Sequence, residues 1–177
     1  KGSRQDPLLV AAYARRGAQL GWQEPAGRSL EQALDAQWSA ALLPLLAEVG
    51  LSGSADEQLE RLQRWLDAHP DEPELLLLAA RQTRRLGQWP RAQDLLHRAL
   101  SLGAGADGWE ALGEGHAAAG DDALATTCLL NALRVRRGQP VQAIDNRDLR
   151  QQISDAAMAE QRDEHGLPRL ADDPGSR

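Results

Sequence analysis

The stretch WEALGEGHAAAGDDALATTCLLNAL, residues 109–133, decides how this chain folds. Trp109, Leu112 and Gly113 recur at helical spacing, so they share one face of a first helix. Gly120 breaks the run. Ala125, Leu129, Ala132 and Leu133 then resume the helical period on a second segment. The unit reads as helix, tight glycine turn, helix.

Working outward, the same downstream pattern follows two other glycines. Gly21 precedes Ala26, Leu30, Ala33 and Leu34, and Gly87 precedes Ala92, Leu96, Ala99 and Leu100. Four matched positions in a chain with 30 Ala and 30 Leu among 177 residues arise by chance at about 0.0008 per glycine, so three coincidences indicate a repeat. Upstream, Leu76, Ala79 and Ala80 precede Gly87, and Val10, Tyr13 and Ala14 precede Gly21, giving each first helix an apolar face with small residues for close approach. Gly50 marks a degenerate fourth copy, with Leu42 and Leu43 before it, Ala55, Leu59 and Leu62 after it, and Gln63 in place of the final Leu.

Composition agrees with helices alone. Against those 60 Ala and Leu stand 4 Val, 2 Ile and 3 Thr, with no Phe and one Tyr. A sheet normally recruits the residues that are missing, whereas Ala and Leu lead the helix ranking. The longest apolar run, Leu75 to Ala80, is far too short to span a bilayer. A net charge of −6 argues against a nucleic-acid partner. The lone Cys128 excludes an internal disulfide and a cysteine-rich zinc site.

These units resemble the tetratricopeptide repeat (TPR), whose pattern has a bulky residue early in its first helix, Leu-Gly or Leu-Ala one turn later, glycine at the turn, alanine one turn into the second helix, and Ala-Leu near its end. Residues 106–135 fit best; His116 departs, standing where an aromatic is usual. The resemblance implies an all-α, right-handed α-α superhelix of about four helix hairpins, with repeats near 7–35, 36–70, 73–105 and 106–138. Helices are expected near 6–20, 24–37, 38–49, 54–68, 73–86, 89–102, 107–119 and 122–137. Pro44 is expected to bend the third of these. A thin apolar stripe of Ile144, Leu149, Ile153, Ala156, Ala157 and Met158 predicts a capping helix over 145–164. Residues 1–5 are expected to be linker, residues 6–164 a single solenoid domain, and residues 165–177 a disordered tail.

A narrower resemblance rests on Arg64 through Leu78, on Gln88-Trp89-Pro90-Arg91-Ala92 and on Ser101-Leu102-Gly103, which look like the C-terminal TPR region of the proteobacterial HemY-type protein. It departs in having Ala79-Ala80 for Leu-Gly, and Trp89-Pro90-Arg91-Ala92 for Trp-Gly-Lys-Ala. That family is anchored in the bacterial inner membrane and associated with haem (porphyrin) biosynthesis. The resemblance implies two membrane helices upstream of Lys1, a soluble domain on the cytoplasmic face, and haem-biosynthesis enzymes as partners.

Catalytic signals are few. His69, His97, His116 and His165 are scattered, and neither a phosphate-cradling glycine loop nor a nucleophile elbow is present. No catalytic residue, metal ligand or cofactor is assigned. Cys128 reads as a packed thiol beside a core Leu129. The candidate site is instead the concave groove of the stack, lined by outward residues of the first helices: Arg15 and Gln19; Glu48; Leu77, Arg81, Arg84 and Arg85; Glu110, Glu114 and Ala117. With no acidic residue between Leu75 and Pro90, the arginines form an uncompensated positive cluster along the segment, suited to an acidic peptide or a C-terminal carboxylate. A solvated face, or pairing with Glu110 and Glu114 of the next repeat, is the alternative. The expected function is a non-enzymatic protein-interaction scaffold. Alternatives are a tetrapyrrole carrier, with one His or Tyr13 as axial ligand, and a self-association module.

Overall fold

A computed structural model describes residues 7–144, and the compact unit to which nearly all of them belong ends at Gln142. It contains α1 (Pro7–Gln19), α2 (Gln23–Ala36), a 3₁₀ turn at Ala40–Leu42 running into α3 (Leu43–Val49), α4 (Ala55–Ala68), α5 (Pro73–Arg85), α6 (Trp89–Ser101), α7 (Gly105–Ala118) and α8 (Asp122–Arg136). Among the described residues there is no strand. The expected capping helix over 145–164, the linker and the tail lie outside the described residues.

Local chemistry sets the helix ends. Gly21, Gly87 and Gly120 have φ of 80°, 75° and 84°, a left-handed conformation that costs glycine nothing. After each glycine the next residue donates its N–H back to the carbonyl five positions earlier: Trp22 to Gly17 at 2.8 Å, Gln88 to Thr83 at 3.1 Å and Asp121 to His116 at 2.9 Å. This is the glycine-terminated closure that satisfies the last carbonyls of a helix. Pro73 and Pro90 occupy first-turn positions of α5 and α6, where the missing N–H is harmless. Asp121 caps α8 by accepting from the Leu124 N–H at 3.1 Å.

The stack follows from the small residues. Three hairpins pack tightly, α1 on α2, α5 on α6 and α7 on α8, while α5 also touches α3, α4 and α7. Ala14, Ala26, Ala80, Ala92, Ala99 and Ala125 are buried at the helix contacts. At Gly113 an added Cβ would sit 3.0 Å from Leu129 Cγ and 3.2 Å from the Ala125 carbonyl, so α7 approaches α8 closely enough that even a methyl group would have to push its neighbours aside. Leu30, Leu46, Leu75, Leu76, Leu96 and Leu112 are at most 2% exposed and fill the layer between. Each fully buried leucine contributes roughly 1.5–3 kcal/mol.

The degenerate copy is where structure and expectation part. Pro44 does not bend a helix; it lies in the first turn of α3, where it starts one. The first helix of this repeat is therefore only seven residues long, preceded by the 3₁₀ turn. It packs on α1, α2 and α5. Gly50 ends α3 with φ 96°, and a loop leads to a capping box in which the Ser54 N–H donates to Glu57 Oε2 at 2.7 Å and the Glu57 N–H donates to Ser54 Oγ at 3.4 Å. The Ser54 N–H, and then the Ser54 hydroxyl donating to the same Oε2 at 3.0 Å, hold the exposed Glu57 carboxyl below its usual pKa.

Repeat two is tied to repeat one by polar and aromatic contacts. Glu31 of α2, 2% exposed, accepts from the Ser52 N–H at 2.6 Å and from the Ser52 hydroxyl, and pairs with Arg61 of α4 at 2.8 Å. Trp65 Nε1–H donates to Asp35 at 2.8 Å, and within repeat two Trp38 stacks on His69 with centroids 3.9 Å apart. One turn before Glu31, a Cβ on Gly27 would lie 2.5 Å from the Gly50 carbonyl oxygen, so α2 presses directly on that loop.

Two sequence expectations about the core fail at the ends of the stack. Tyr13 is 57% exposed, although Val10 and Ala14 beside it are buried. Leu129 and Leu133 are 41% and 45% exposed, although their counterparts Leu96 and Leu100 are buried and half-buried. The reason is position: α6 is followed by α7, which packs on it, while α8 is the last described helix. Cys128 itself is fully buried, as expected.

Candidate functional site

Three first helices converge on one cavity of about 280 Å³. Its walls come from Leu43, Pro44, Ala47 and Glu48 of α3, from Glu74, Leu77, Leu78 and Arg81 of α5, and from Asp107 of α7. All three are first helices of their hairpins, the set that a TPR-type superhelix turns toward its concave face. A second, outer groove of about 500 Å³ lies between α4 and α6, lined by Gln63, Leu66, Asp67, Arg91, Asp94 and Arg98 among others. It belongs to the second helices and therefore to the opposite face.

The expected groove residues are partly assembled there. Leu77 is 3% exposed at the cavity floor and Arg81 is half-buried at its rim. Glu48 and Asp107 stand on neighbouring walls. Arg84 turns to Glu114 of α7, with Nη2 to Oε2 at 2.9 Å. Glu110 is engaged by Arg136 of α8 at 2.8 Å, and Arg136 also lies 3.6 Å from Asp107. Arg85 is exposed. Arg15 and Gln19 are exposed on α1 and do not line this cavity; Gln19 accepts instead from Arg16 at 3.4 Å. Ala117 is exposed on α7.

The arginine cluster is thus not uncompensated. No acidic residue lies between Leu75 and Pro90, but the fold brings Glu114 onto Arg84, and Glu48, Glu74 and Asp107 line the same cavity as Arg81. Sequence reading missed Glu74, because it lies in the first turn of α5, where an acid is explained by the helix dipole alone. In the structure its carboxyl pKa is raised, first by burial and then by the charges of Asp107 and Glu72, with Arg81 opposing.

Elsewhere, His116 fills the place of the expected aromatic. It is 4% exposed and meets the Trp89 ring edge to face at 5.3 Å. Its Nε2 is, among the described residues, the one buried side-chain polar atom without a hydrogen-bond partner. Burial lowers its pKa, against an opposing pull from Asp121. Burial also pushes the Cys128 thiol up to about 11, leaving it protonated and unreactive at neutral pH. Among the described residues no three His, Cys, Asp or Glu side chains converge to hold a metal ion, and no helix is long and apolar enough to cross a membrane.

With this geometry in hand, comparison with solved structures gives a consistent result. The chain is similar to MamA from Desulfovibrio magneticus RS-1 (residues 41 to the end; TM-score 0.53, 16% identity, covering 76% of this chain and 78% of that one). It is also similar to the MSR-1 C2 form of MamA (TM-score 0.51, 17% identity, covering 73% and 74%) and to an RS-1 MamA double mutant (TM-score 0.51, 16% identity, covering 78% and 79%). The chain has a TPR-type superhelical fold. At such identities the likeness concerns the fold. No protein-family model and no curated protein matches the chain.

Proposed function

We propose that this TPR-type solenoid is a non-enzymatic scaffold that docks a partner protein on its concave face. The observation that carries this is the inner cavity built by α3, α5 and α7, which sets charged groups around a narrow apolar floor on a rigid framework. Two reactive side-chain types lie away from it: Cys128 is fully buried with its thiol pKa pushed up to about 11, and His116 is buried against Trp89. The test is affinity purification of the full-length protein from its native cells, followed by mass spectrometry. Glu48→Arg and Glu114→Arg on the inner face should lose a protein that wild type captures. Glu60→Arg and Asp94→Arg on the outer helices should retain it, with helicity unchanged in all four. Equal loss, or no loss, from both pairs would contradict the reading.

The narrower assignment, to an inner-membrane HemY-type protein linked to haem biosynthesis, is supported by the resemblance of residues 64–78, 88–92 and 101–103 alone. Haem-biosynthesis enzymes among the captured proteins would support it. Self-association is a second reading, favoured by apolar side chains exposed at both ends of the stack: Leu9, Tyr13 and Trp22 at one, Leu129, Leu130 and Leu133 at the other. Faces of this kind mark association surfaces in soluble proteins. Light scattering across a concentration series tests it, and a monomer throughout would remove it.

A further inference from the structure

The inner cavity carries more chemistry than a generic docking face, and that chemistry opposes the acidic ligand expected from the arginines alone. Its lining holds three carboxylates, Glu48, Glu74 and Asp107, and one cation, Arg81. Arg84, the next arginine along the groove, is already satisfied by Glu114 at 2.9 Å. Arg136 reaches Asp107 only at 3.6 Å and sits closer to Glu110, at 2.8 Å. An anionic ligand entering here would meet a surplus of like charge. A cation would meet the reverse, and charge complementarity of this kind selects partners and fixes register.

The shape narrows the cation to an organic one. The carboxylates come from three different helices, and no group of three in the described residues is placed to hold a metal ion. The floor is apolar, made by Leu43, Leu77 and Leu78, with Pro44 and Ala47 at the α3 wall. A long basic side chain matches both features, because Lys and Arg lay their methylene stems along apolar surface while the charged head stays among polar groups. The volume, about 280 Å³, is at or below the roughly 300 Å³ lower limit of pockets for small-molecule ligands, and so suits one inserted side chain. The raised pKa of the Glu74 carboxyl, caused by burial and then by Asp107 and Glu72, is the state that an incoming cation would relieve.

We propose that the α3–α5–α7 cavity receives a Lys or Arg side chain from a basic, apolar-flanked segment of a partner protein. This rests on the concave-face reading above and specifies its ligand chemistry.

The probes are two fluorescein-labelled peptides, one of alternating Leu and Lys and one of alternating Leu and Glu, titrated into the full chain by fluorescence anisotropy and mapped by amide NMR shifts. The Lys peptide should shift the amides of Glu48, Leu77, Arg81 and Asp107 and weaken with added salt. Glu48→Gln and Asp107→Asn, both at exposed positions, should each weaken it by about 2- to 5-fold. Arg81→Gln, which removes the only cation of the lining, should tighten it by a similar factor. Lys-peptide affinity that is unchanged in all three variants, or no Lys-peptide binding at about millimolar concentration, would overturn the proposal. Occupation of the same amides by the Glu peptide would also overturn it while leaving concave-face docking intact. Shifts confined to the outer α4–α6 groove would overturn both.

Discussion

Glu31→Ala tests the least conventional joint of the fold. The Glu31 carboxylate is 2% exposed and holds three partners: the Ser52 N–H at 2.6 Å, the Ser52 hydroxyl, and Arg61 at 2.8 Å. Removing one member of a buried ion pair typically costs about 3–5 kcal/mol, because the other is left buried and uncompensated. Here the Arg61 side chain is 21% exposed and keeps part of its hydration, which moves that cost toward the lower end. The Ser52 N–H, however, loses its acceptor in a residue only 4% exposed, at roughly 1–3 kcal/mol. The contributions overlap, so the expected loss is about 3–4 kcal/mol, a large part of the ~5–15 kcal/mol that stabilises a typical domain. Urea unfolding followed by circular dichroism measures it. Since α3 packs on α1, α2 and α5 rather than on α4, the pin links α2 to the loop and helix that follow, and its loss should broaden or split the transition. In a double-mutant cycle with Arg61→Ala, a coupling of about 1–3 kcal/mol is expected. A loss below about 1 kcal/mol with a single sharp transition would refute the reasoning.

Three further outcomes are expected. His116 is held neutral by burial, so its folded pKa lies below its unfolded value; the unfolded chain takes up the proton first, and stability falls as pH drops below about 6.5, by at most about 1.4 kcal/mol per pH unit for this group. His116→Phe should reduce that dependence in thermal melts between neutral and mildly acidic pH, leaving the share of His97, whose pKa burial also lowers. Gly115→Ala should destabilise by about 1–2 kcal/mol in chemical denaturation, because the new Cβ overlaps the Trp89 ring and the ~1 kcal/mol gain in helix propensity is smaller than the ~1–3 kcal/mol of overpacking; in a Trp89→Leu background the same change should become neutral or favourable. Cys128, fully buried with its pKa near 11, should resist a maleimide at neutral pH and react at once in denaturant.

The hairpins were legible in the sequence because each is closed by local chemistry. A glycine turn and small residues at fixed offsets sufficed to place α1, α2 and α4 to α8 within two residues of their ends. What escaped is whatever depends on which helix lies opposite. Pro44 is equally compatible with a kink and with a helix start, and the packing of α3 on α1, α2 and α5 decides for the start. Leu129 and Leu96 are identical in pattern, yet Leu96 is buried on α6, against which α7 packs, and Leu129 is exposed on α8, the last described helix. Pairing with the next repeat, one of the two readings open to the groove arginines, holds for Arg84 and Glu114, 30 positions apart, whereas nothing along the chain connects Asp107 of another hairpin with the cavity that Arg81 lines. A signal for Glu31 did exist. It stands four residues after Gly27 on the apolar stripe of α2, an acid where a leucine or alanine would be expected.

Docking on the inner face of the stack is what distinguishes this reading from a solvated surface. Site-specific photo-crosslinking in native cells addresses it directly, with a benzophenone side chain placed at Glu48 or Glu114 on the inner face, and at Gln63 or Asp94 on the outer groove. One discrete partner band is expected from both inner positions and none from the outer two. A band from Gln63 or Asp94 alone would contradict it.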